Sequence, residues 1–238
     1  MLDVTLISVL DDNYAYILQS GEEIAVVDPG DADPIIQYLE KNNLKPSIIF
    51  NTHHHGDHIA GNAKIKEKYG CNIIAPEKDR HRISGIDETL QEGDELKFGN
   101  DNLQIMETPG HTSGHVCLWF PDSRVLFSGD TLFAMGCGRT FEGTSEQLFY
   151  AFERFKRFPE DTKIYCGHEY TLSNGEFCMT IEPDNTDLQH RMIEVTELRK
   201  AGTPTIPSTI GLEKQTNVFM RANTAEEFKK YRELKDNF

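Results

Sequence analysis

Several features are scarce in this chain, and each absence excludes a class of function. Lysine and arginine number 24 against 39 acidic residues, which gives a formal net charge of -15 over 238 residues. Nucleic acids and anionic membranes need a cationic surface, so we expect neither as a partner. No apolar run approaches the ~18 residues of a membrane span. The first five residues contain no basic segment, so we expect no secretory signal.

Cysteine is also sparse, with five copies at scattered positions and no Cys-X-X-Cys pair. An odd number at irregular spacing is typical of reduced, mostly buried thiols and argues against a disulfide framework. We therefore expect a cytoplasmic protein, and we expect it to be a monomer. The length predicts one large domain or one domain with a small appendage.

Histidine occurs nine times, yet four copies lie in the segment Thr52-His53-His54-His55-Gly56-Asp57-His58. A short apolar strand is predicted before this segment, over 45–50, and a helix after it, over 59–69. Residues two apart in an extended loop point the same way, so His53 and His55 are expected to share one ion. Asp57 and His58 begin the helix and point elsewhere, which indicates a second ion. His54 should face away as a spacer.

Two other interpretations of this segment are a simple surface loop and a terminal histidine tag. The segment resembles neither, because it is internal, follows an apolar strand and includes a carboxylate. Ligand type and context favour a metal site.

Three other predicted strands end in residues that bind metals, within the segments 108–115, 126–131 and 164–169. A glycine precedes His111, Asp130 and His168, as expected for tight turns that expose the next side chain. Strand-end loops collect at one edge of a sheet, so these residues are expected to join the histidine loop. His115 is interpreted as a packing or supporting residue.

The expected ligands divide into two sites joined by a carboxylate. His53, His55 and His111 form the first site, Asp57, His58 and His168 the second, and Asp130 bridges them. Asp28 either accepts a ring N–H from one of these histidines or caps a helix, and both alternatives stay open. Nitrogen and oxygen ligands without cysteine suit catalytic Zn²⁺, Fe²⁺ or Mn²⁺. A water shared by two such ions has its pKa lowered from 15.7 to about 7, which suits hydrolysis.

The order of predicted elements divides the chain near residue 166. Strands and helices alternate before it, and helices dominate after it, so we expect domains over 1–166 and 167–238. Residues 77–95 are polar and are expected to be irregular. Thr144 with Gln147 has the pattern of a capping box at a helix start. A proline- and threonine-rich connector is expected over 203–207.

The Thr-His-X-His-X-Asp-His segment, followed in order by Gly-His, Gly-Asp and Gly-His, resembles the metallo-β-lactamase superfamily over about the first 170 residues. The resemblance implies an α/β fold, an αββα sandwich with the metals at one edge of its two sheets. This fold supports several chemistries and does not by itself decide the function.

Three further segments resemble the glyoxalase II family, the hydroxyacylglutathione hydrolases: residues 136–144, 165–171 and 232–238. That resemblance implies a smaller C-terminal helical domain, two divalent metal ions, with Zn²⁺ expected ahead of Fe or Mn, and a glutathione thioester as the small-molecule substrate. Asp57 and Asp130 are the candidate catalytic carboxylates. The implied substrate-binding residues are Arg139, Phe141, Tyr170, Arg232 and Lys235.

Some of these residues have other interpretations. Arg232 and Lys235 share a helix face and suit glutathione's carboxylates, although cations in a last helical turn also favour the helix dipole. Phe141 lacks the hydroxyl that a tyrosine has there in some members, and Asn217-Val218-Phe219 departs from the family's usual Asn-Pro-Phe. The rival functions are an iron-dependent persulfide dioxygenase, a tRNA-processing nuclease and a non-catalytic metal-binding module.

Overall fold

The computed structural model describes residues 2–238 and divides them into two compact units. The first unit contains the chain up to Glu107 together with Gly114–Ser123, and the second contains Thr108–Ser113 together with Arg124–Phe238. The chain thus enters each unit twice. The domain division at 166/167 stays a prediction.

The first unit begins with an antiparallel meander that continues into parallel strands. Its strands are β1 (Asp3–Val9), β2 (Asn13–Ser20), β3 (Glu23–Val27), β4 (Ile48–Phe50), β5 (Asn72–Pro76) and β6 (Glu88–Leu90), which lie side by side in that order. Strands β3 to β6 pair in parallel. The three-residue strand β4 is almost entirely buried, and the histidine loop follows it directly.

The helices of this unit are α1 (Ala32–Lys41), α2 (Gly56–Ile59) and α3 (Asn62–Tyr69). Ile35 and Leu39 of α1 pack with Ile49 and Ile73 of the sheet in the main apolar core. Asp31 caps α1 by accepting a hydrogen bond from the backbone of Asp33. Aspartate is among the preferred residues at a helix N-cap.

The helix expected over 59–69 is interrupted at Gly61. The Gly61 backbone N–H donates to Pro29 O at 2.7 Å, and a Cβ on Gly61 would lie 2.6 Å from that oxygen. This close approach, which only glycine permits, lies between the end of α2 and the start of α3.

The expectation of an irregular segment over 77–95 was only partly correct. A 3₁₀ turn at Glu77–Asp79 is followed by β6, which pairs with β5. Strand β7 (Glu95–Phe98) then forms an antiparallel ladder with β8 (Asp101–Glu107) and β9 (Val116–Phe120).

The second unit contains strand pairs and most of the helices. Its elements are β10 (Val125–Gly129), β11 (Leu132–Phe133), β12 (Gly136–Cys137), α4 (Ser145–Phe155), β13 (Lys163–Cys166), α5 (Thr171–Ile181), α6 (Thr186–Lys200), β14 (Ser208–Thr209), α7 (Ile210–Thr216), α8 (Val218–Arg221) and α9 (Ala225–Asp236). Strand β13 is parallel to β10 and antiparallel to β14, and β11 with β12 forms a short hairpin. The capping box of Thr144 and Gln147 is confirmed at the start of α4.

Phenylalanine rings hold the helices of the second unit together. Phe228 of α9 lies edge-to-face against Phe152 of α4 and Phe219 of α8, with centroids 5.1 and 5.2 Å apart. Such pairs add to the burial of large apolar area. Helices α7 and α8 follow the proline-rich connector and were not predicted. Across residues 2–238, no helix has both the length and the apolar character that a bilayer span requires.

Candidate metal centre

The first group of candidate ligands lies in the loop after β4 and in the short helix α2, a segment called the histidine loop here. His53 and His58 are buried, whereas His55 and Asp57 are partly exposed. The ring of His53 lies 4.7 Å from that of His55 and 4.2 Å from that of His58, centroid to centroid. Asp57 Oδ2 lies 3.6 Å from His58 Nε2. The loop thus gathers three imidazoles and one carboxylate.

Asp28 fixes the orientation of this loop. Its Oδ1 accepts the Thr52 backbone N–H at 2.8 Å, and its Oδ2 accepts the Thr52 hydroxyl at 2.7 Å. The same Oδ2 lies 3.1 Å from His58 Nδ1, which places the proton on Nδ1 and leaves Nε2 with its lone pair. Asp28, His53 and His58 each offer an atom within 4.8 Å of the others, a spacing that also suits one ion. Because both Asp28 oxygens already accept hydrogen bonds, we interpret Asp28 as an orienting residue.

Two other histidines of the first unit have different surroundings. His54 Nδ1 lies 3.3 Å from Asp79 Oδ2, and Arg82 approaches its other ring nitrogen. His115 is fully buried and stacks on His53 with ring centroids 5.0 Å apart. These contacts place both histidines against neighbouring side chains, and their roles as a spacer (His54) and a supporting residue (His115) stay predictions.

Sequence reasoning missed two side chains that hold this group. Asn13 Nδ2 donates to Asp57 Oδ2 at 2.9 Å, and the Thr52 hydroxyl lies 3.0 Å from His53 Nδ1. A lone asparagine carries no local signal of a long-range contact, so nothing in the sequence indicated the role of Asn13. Thr52 directly precedes the first histidine, which was the available clue.

The second group of candidate ligands belongs to the second unit and centres on Asp130. Asp130 Oδ2 lies 3.4 Å from His111 Nε2 and 3.3 Å from His168 Nε2, and all three side chains are nearly buried. Two atoms that bind one tetrahedral ion at about 2.0–2.1 Å lie roughly 3.3–3.4 Å apart. The donor set and its spacing therefore fit divalent metal ions.

Local backbone features aim these three side chains. His111 Nδ1 donates to Arg139 O at 2.9 Å, which leaves Nε2 as the ligand atom. Gly110 and Gly129 adopt positive φ angles of 149° and 46°, as their expected turns require. The register of β10 shifts between Phe127 and Gly129, an irregularity that redirects the chain just before Asp130.

Comparison with known families matches both parts of the chain. The model of the metallo-β-lactamase superfamily matches residues 9–168, and the model of the hydroxyacylglutathione hydrolase C-terminus matches residues 169–238. A hydroxyacylglutathione hydrolase from Pelagibacter ubique is 44% identical to this chain over 239 residues, and the alignment covers both proteins completely. One from Methylococcus capsulatus is 45% identical over 228 residues, which are 95% of this chain and 89% of the relative. The chain belongs to the hydroxyacylglutathione hydrolase family.

Solved structures of the superfamily share the fold of this family member. The B3 metallo-β-lactamase BLEG-1 aligns with a TM-score of 0.70 at 24% identity, over 93% of this chain and all of that one. ETHE1 from Myxococcus xanthus aligns with a TM-score of 0.73 at 22% identity, over 98% of this chain and 90% of that one. The predicted resemblance and fold class, an αββα metallo-β-lactamase-type fold with a C-terminal helical region, are confirmed. The superfamily implies divalent metal ions, which the two ligand groups fit.

The residues that the family resemblance assigned to substrate all lie in the second unit and differ in exposure. Phe141 is 63% exposed and meets His111 edge-on at 5.2 Å between ring centroids. Tyr170 is 38% exposed and stacks on His168 at 4.7 Å, nearly parallel. Arg139 is exposed, with its Nε 3.7 Å from Asp236. Both aromatic rings therefore border a candidate metal ligand.

The two α9 residues that the resemblance assigned to substrate, Arg232 and Lys235, are more enclosed than these. Arg232 is 3% exposed and donates from its terminal nitrogens to Cys137 O at 2.6 Å and to Asp236 Oδ1 at 2.9 Å. Lys235 donates to Ser173 O at 3.0 Å, and its ammonium lies 4.9 Å from the centre of the Phe238 ring. Burial, followed by repulsion from Arg232, lowers the pKa of Lys235 from its ordinary value of 10.5.

Proposed function

We propose that this chain hydrolyses S-2-hydroxyacylglutathione thioesters, with S-D-lactoylglutathione cleaved to glutathione and D-lactate in the second step of methylglyoxal detoxification. The proposal is supported by similarity to hydroxyacylglutathione hydrolases along the whole chain, including their C-terminal region. The observation that carries it is the position of Asp130 Oδ2, within 3.4 Å of two imidazole nitrogens.

We propose two divalent ions, with Zn²⁺ expected ahead of Fe or Mn. His53, His55 and His111 would bind one ion, Asp57, His58 and His168 the other, and Asp130 both. When bound, such a pair supplies a water of lowered pKa and a Lewis acid for the carbonyl oxygen. The hydrogen bonds at His58 Nδ1 and His111 Nδ1 support this assignment, because they leave the lone pair of Nε2 in both rings available to bind a metal ion.

The remaining roles follow from the chain's own side chains. Asp57 is 41% exposed and is proposed to accept a proton from the attacking water, while Asn13 holds its Oδ2. Asp130 is buried between two histidines and is proposed to fix their separation. A thiolate with a pKa near 8.5 leaves without prior protonation, so a thioester needs no dedicated general acid. An amide would need one.

Metal analysis combined with a thiol-release assay tests this function. Purified protein is expected to contain two divalent ions per chain and to release free thiol from S-D-lactoylglutathione, and removal of the ions should stop the release. The D-lactoyl thioester of cysteamine, which lacks both glutathione carboxylates, should be a poor substrate. A single iron with oxygen consumption and no thiol release would instead support the dioxygenase.

We propose that Arg139, Phe141, Tyr170, Arg232 and Lys235 bind the glutathione moiety. Lys235→Met is the sharpest test, because Arg232 also holds the backbone of Cys137. A charge-assisted hydrogen bond contributes about 1.5–3 kcal/mol, so we expect KM to rise roughly 10- to 100-fold with kcat retained. The pKa of Lys235 lies below its ordinary value of 10.5, so Lys235 should lose its proton at alkaline pH. In the unmodified enzyme, KM should therefore rise at alkaline pH.

Lys230→Met is the matched control, since Lys230 is exposed on the same helix. Its KM should equal that of the unmodified protein. An unchanged KM in Lys235→Met, or an equal rise for the cysteamine thioester, would contradict the assignment.

We also propose a cytoplasmic monomer without nucleic-acid or membrane partners. The five cysteines are buried thiols that form no disulfide, which suits a reducing compartment. Burial raises the pKa of Cys137, Cys166 and Cys178 to about 12. Sedimentation at micromolar concentration and cell fractionation test both points. A dimer mass, or recovery with membranes, would contradict them.

A further inference from the structure

The Asp130–Arg139 loop connects several parts of the candidate metal centre. Asp130 at its start contacts both His111 and His168, and Arg139 O at its end accepts the His111 Nδ1–H. Between these ends, the ring of Phe133 lies 6.0 Å from that of His168. The position of this loop therefore bears on all three ligands of the second unit.

The two ends of the loop are in direct contact. The Gly138 N–H donates to Thr131 O at 3.1 Å, and a Cβ added to Gly138 would lie 1.9 Å from Asp130 O. The two ends of the loop therefore pack backbone against backbone, and the hydrogen bond from Gly138 to Thr131 couples them. A displacement of the hairpin tip is thus passed to Asp130 and Arg139.

The tip of the loop is held by one buried carboxylate. Met135 lies at the turn between β11 and β12 with a φ of 53°, which a non-glycine residue seldom adopts. Its backbone N–H donates to Glu213 Oε2 at 2.8 Å. Glu213 is fully buried at the start of α7. Cys178 and Asn174 donate to the carbonyls of Met135 and Ala134, which completes the enclosure of the tip.

Glu213 is itself fixed by a network of donors. Its Oε1 accepts from Arg191 at 2.6 Å, and its Oε2 also accepts from Asn217 Nδ2 at 2.9 Å. Asn217 further donates to Gly136 O at 3.0 Å, inside the same hairpin. Buried carboxylates are stable only when they are paired and hydrogen-bonded, and this one is satisfied on both oxygens. Its position is therefore closely defined.

We propose that Glu213 is a positioning residue for the metal centre, acting through Met135 on the Asp130–Arg139 loop. The proposal rests on the proposed function, since it assigns metal binding to Asp130 and His111. It gives the C-terminal helices a second task besides binding substrate: through a hydrogen bond that spans 78 residues, they set the position of the loop that carries Asp130.

Glu213→Gln tests the proposal without changing side-chain size. Arg191 retains the amide oxygen as its acceptor, so the amide NH₂ faces the N–H of Met135 and that hydrogen bond is lost. We expect the metal dissociation constant, measured by chelator competition, to rise about tenfold, in the range found for residues that orient ligands. The absorption spectrum of the Co²⁺-substituted protein should change, and amide exchange of Met135 should accelerate in the metal-free protein.

Ser208→Ala is the matched control from the same network. It removes a hydroxyl that accepts from Arg191 at 2.7 Å and donates to Glu213 Oε1. The bond from the Met135 N–H goes to the other oxygen, Glu213 Oε2, and stays in place. We expect a loss of thermal stability comparable to that of Glu213→Gln, with unchanged metal affinity, Co²⁺ spectrum and Met135 exchange.

Two results would overturn the proposal. The first is a Glu213→Gln protein whose metal affinity and Co²⁺ spectrum equal those of the unmodified protein. The second is equal weakening of metal binding in Glu213→Gln and Ser208→Ala, which would indicate general destabilisation. Failure of the proposed function is recognised separately, in the unmodified protein, as missing metal or missing thiol release. In that case the exchange rate of Met135 still decides whether Glu213 holds the loop.

Discussion

Asp130→Ala is expected to lower kcat/KM for S-D-lactoylglutathione by roughly 10³-fold or more, a loss of about 4 kcal/mol of transition-state stabilisation. The reason is geometric, because Asp130 Oδ2 lies 3.3 and 3.4 Å from the two histidine nitrogens that share it. Without this carboxylate, His111 and His168 lose the group that sets their separation, and the positive charge of the ions is no longer balanced. Metal content should fall below two ions per chain.

Thiol release and metal analysis on the same preparation measure this effect. Asp101→Asn is the matched control, since Asp101 is equally buried but accepts from Ser20 at 2.6 Å and from Ser123. That variant should lose stability while its kcat/KM stays close to that of the unmodified protein. A fully active Asp130→Ala protein that still holds two ions would remove Asp130 from the centre.

Local sequence signals predicted the elements that depend on local chemistry. The capping box at Thr144 starts α4 as expected, and the strand predicted before the histidine loop forms as β4. These elements are specified by side chains within a few residues of each other. The identity of the candidate ligands was accessible for the same reason, since ligand-type residues directly follow predicted strands.

Features that depend on distant contacts were not predictable. The break at Gly61 exists because Pro29 approaches its backbone, and β6 exists because it pairs with β5. Neither partner is local. Glu213 lies after the predicted connector, where no element was predicted, and its role rests on a hydrogen bond from Met135, 78 residues away. A single buried glutamate gives no sequence pattern, so only the structure reveals it.

The sequence left two roles open for Asp28, and the structure separates them. Asp31 caps α1, whereas Asp28 accepts from Thr52 and lies 3.1 Å from His58 Nδ1. We therefore expect Asp28→Asn to lower metal affinity and kcat/KM by about 10- to 100-fold, because the amide no longer provides two acceptors for Thr52 and His58. Asparagine also tolerates positive φ, so the φ of 50° at this position is not a separate source of strain.

Asp31→Ala is the variant that distinguishes orientation from capping. Loss of a helix cap costs about 1 kcal/mol, which a lower midpoint of urea unfolding would show. Metal affinity should stay unchanged, because the hydrogen bond that Asp31 accepts comes from the backbone of Asp33 at the start of α1. If Asp31→Ala weakened metal binding as much as Asp28→Asn, placement of α1 and not the tautomer of His58 would control the centre. A tenfold or larger difference between the two variants would assign that control to the hydrogen bond between Asp28 and His58.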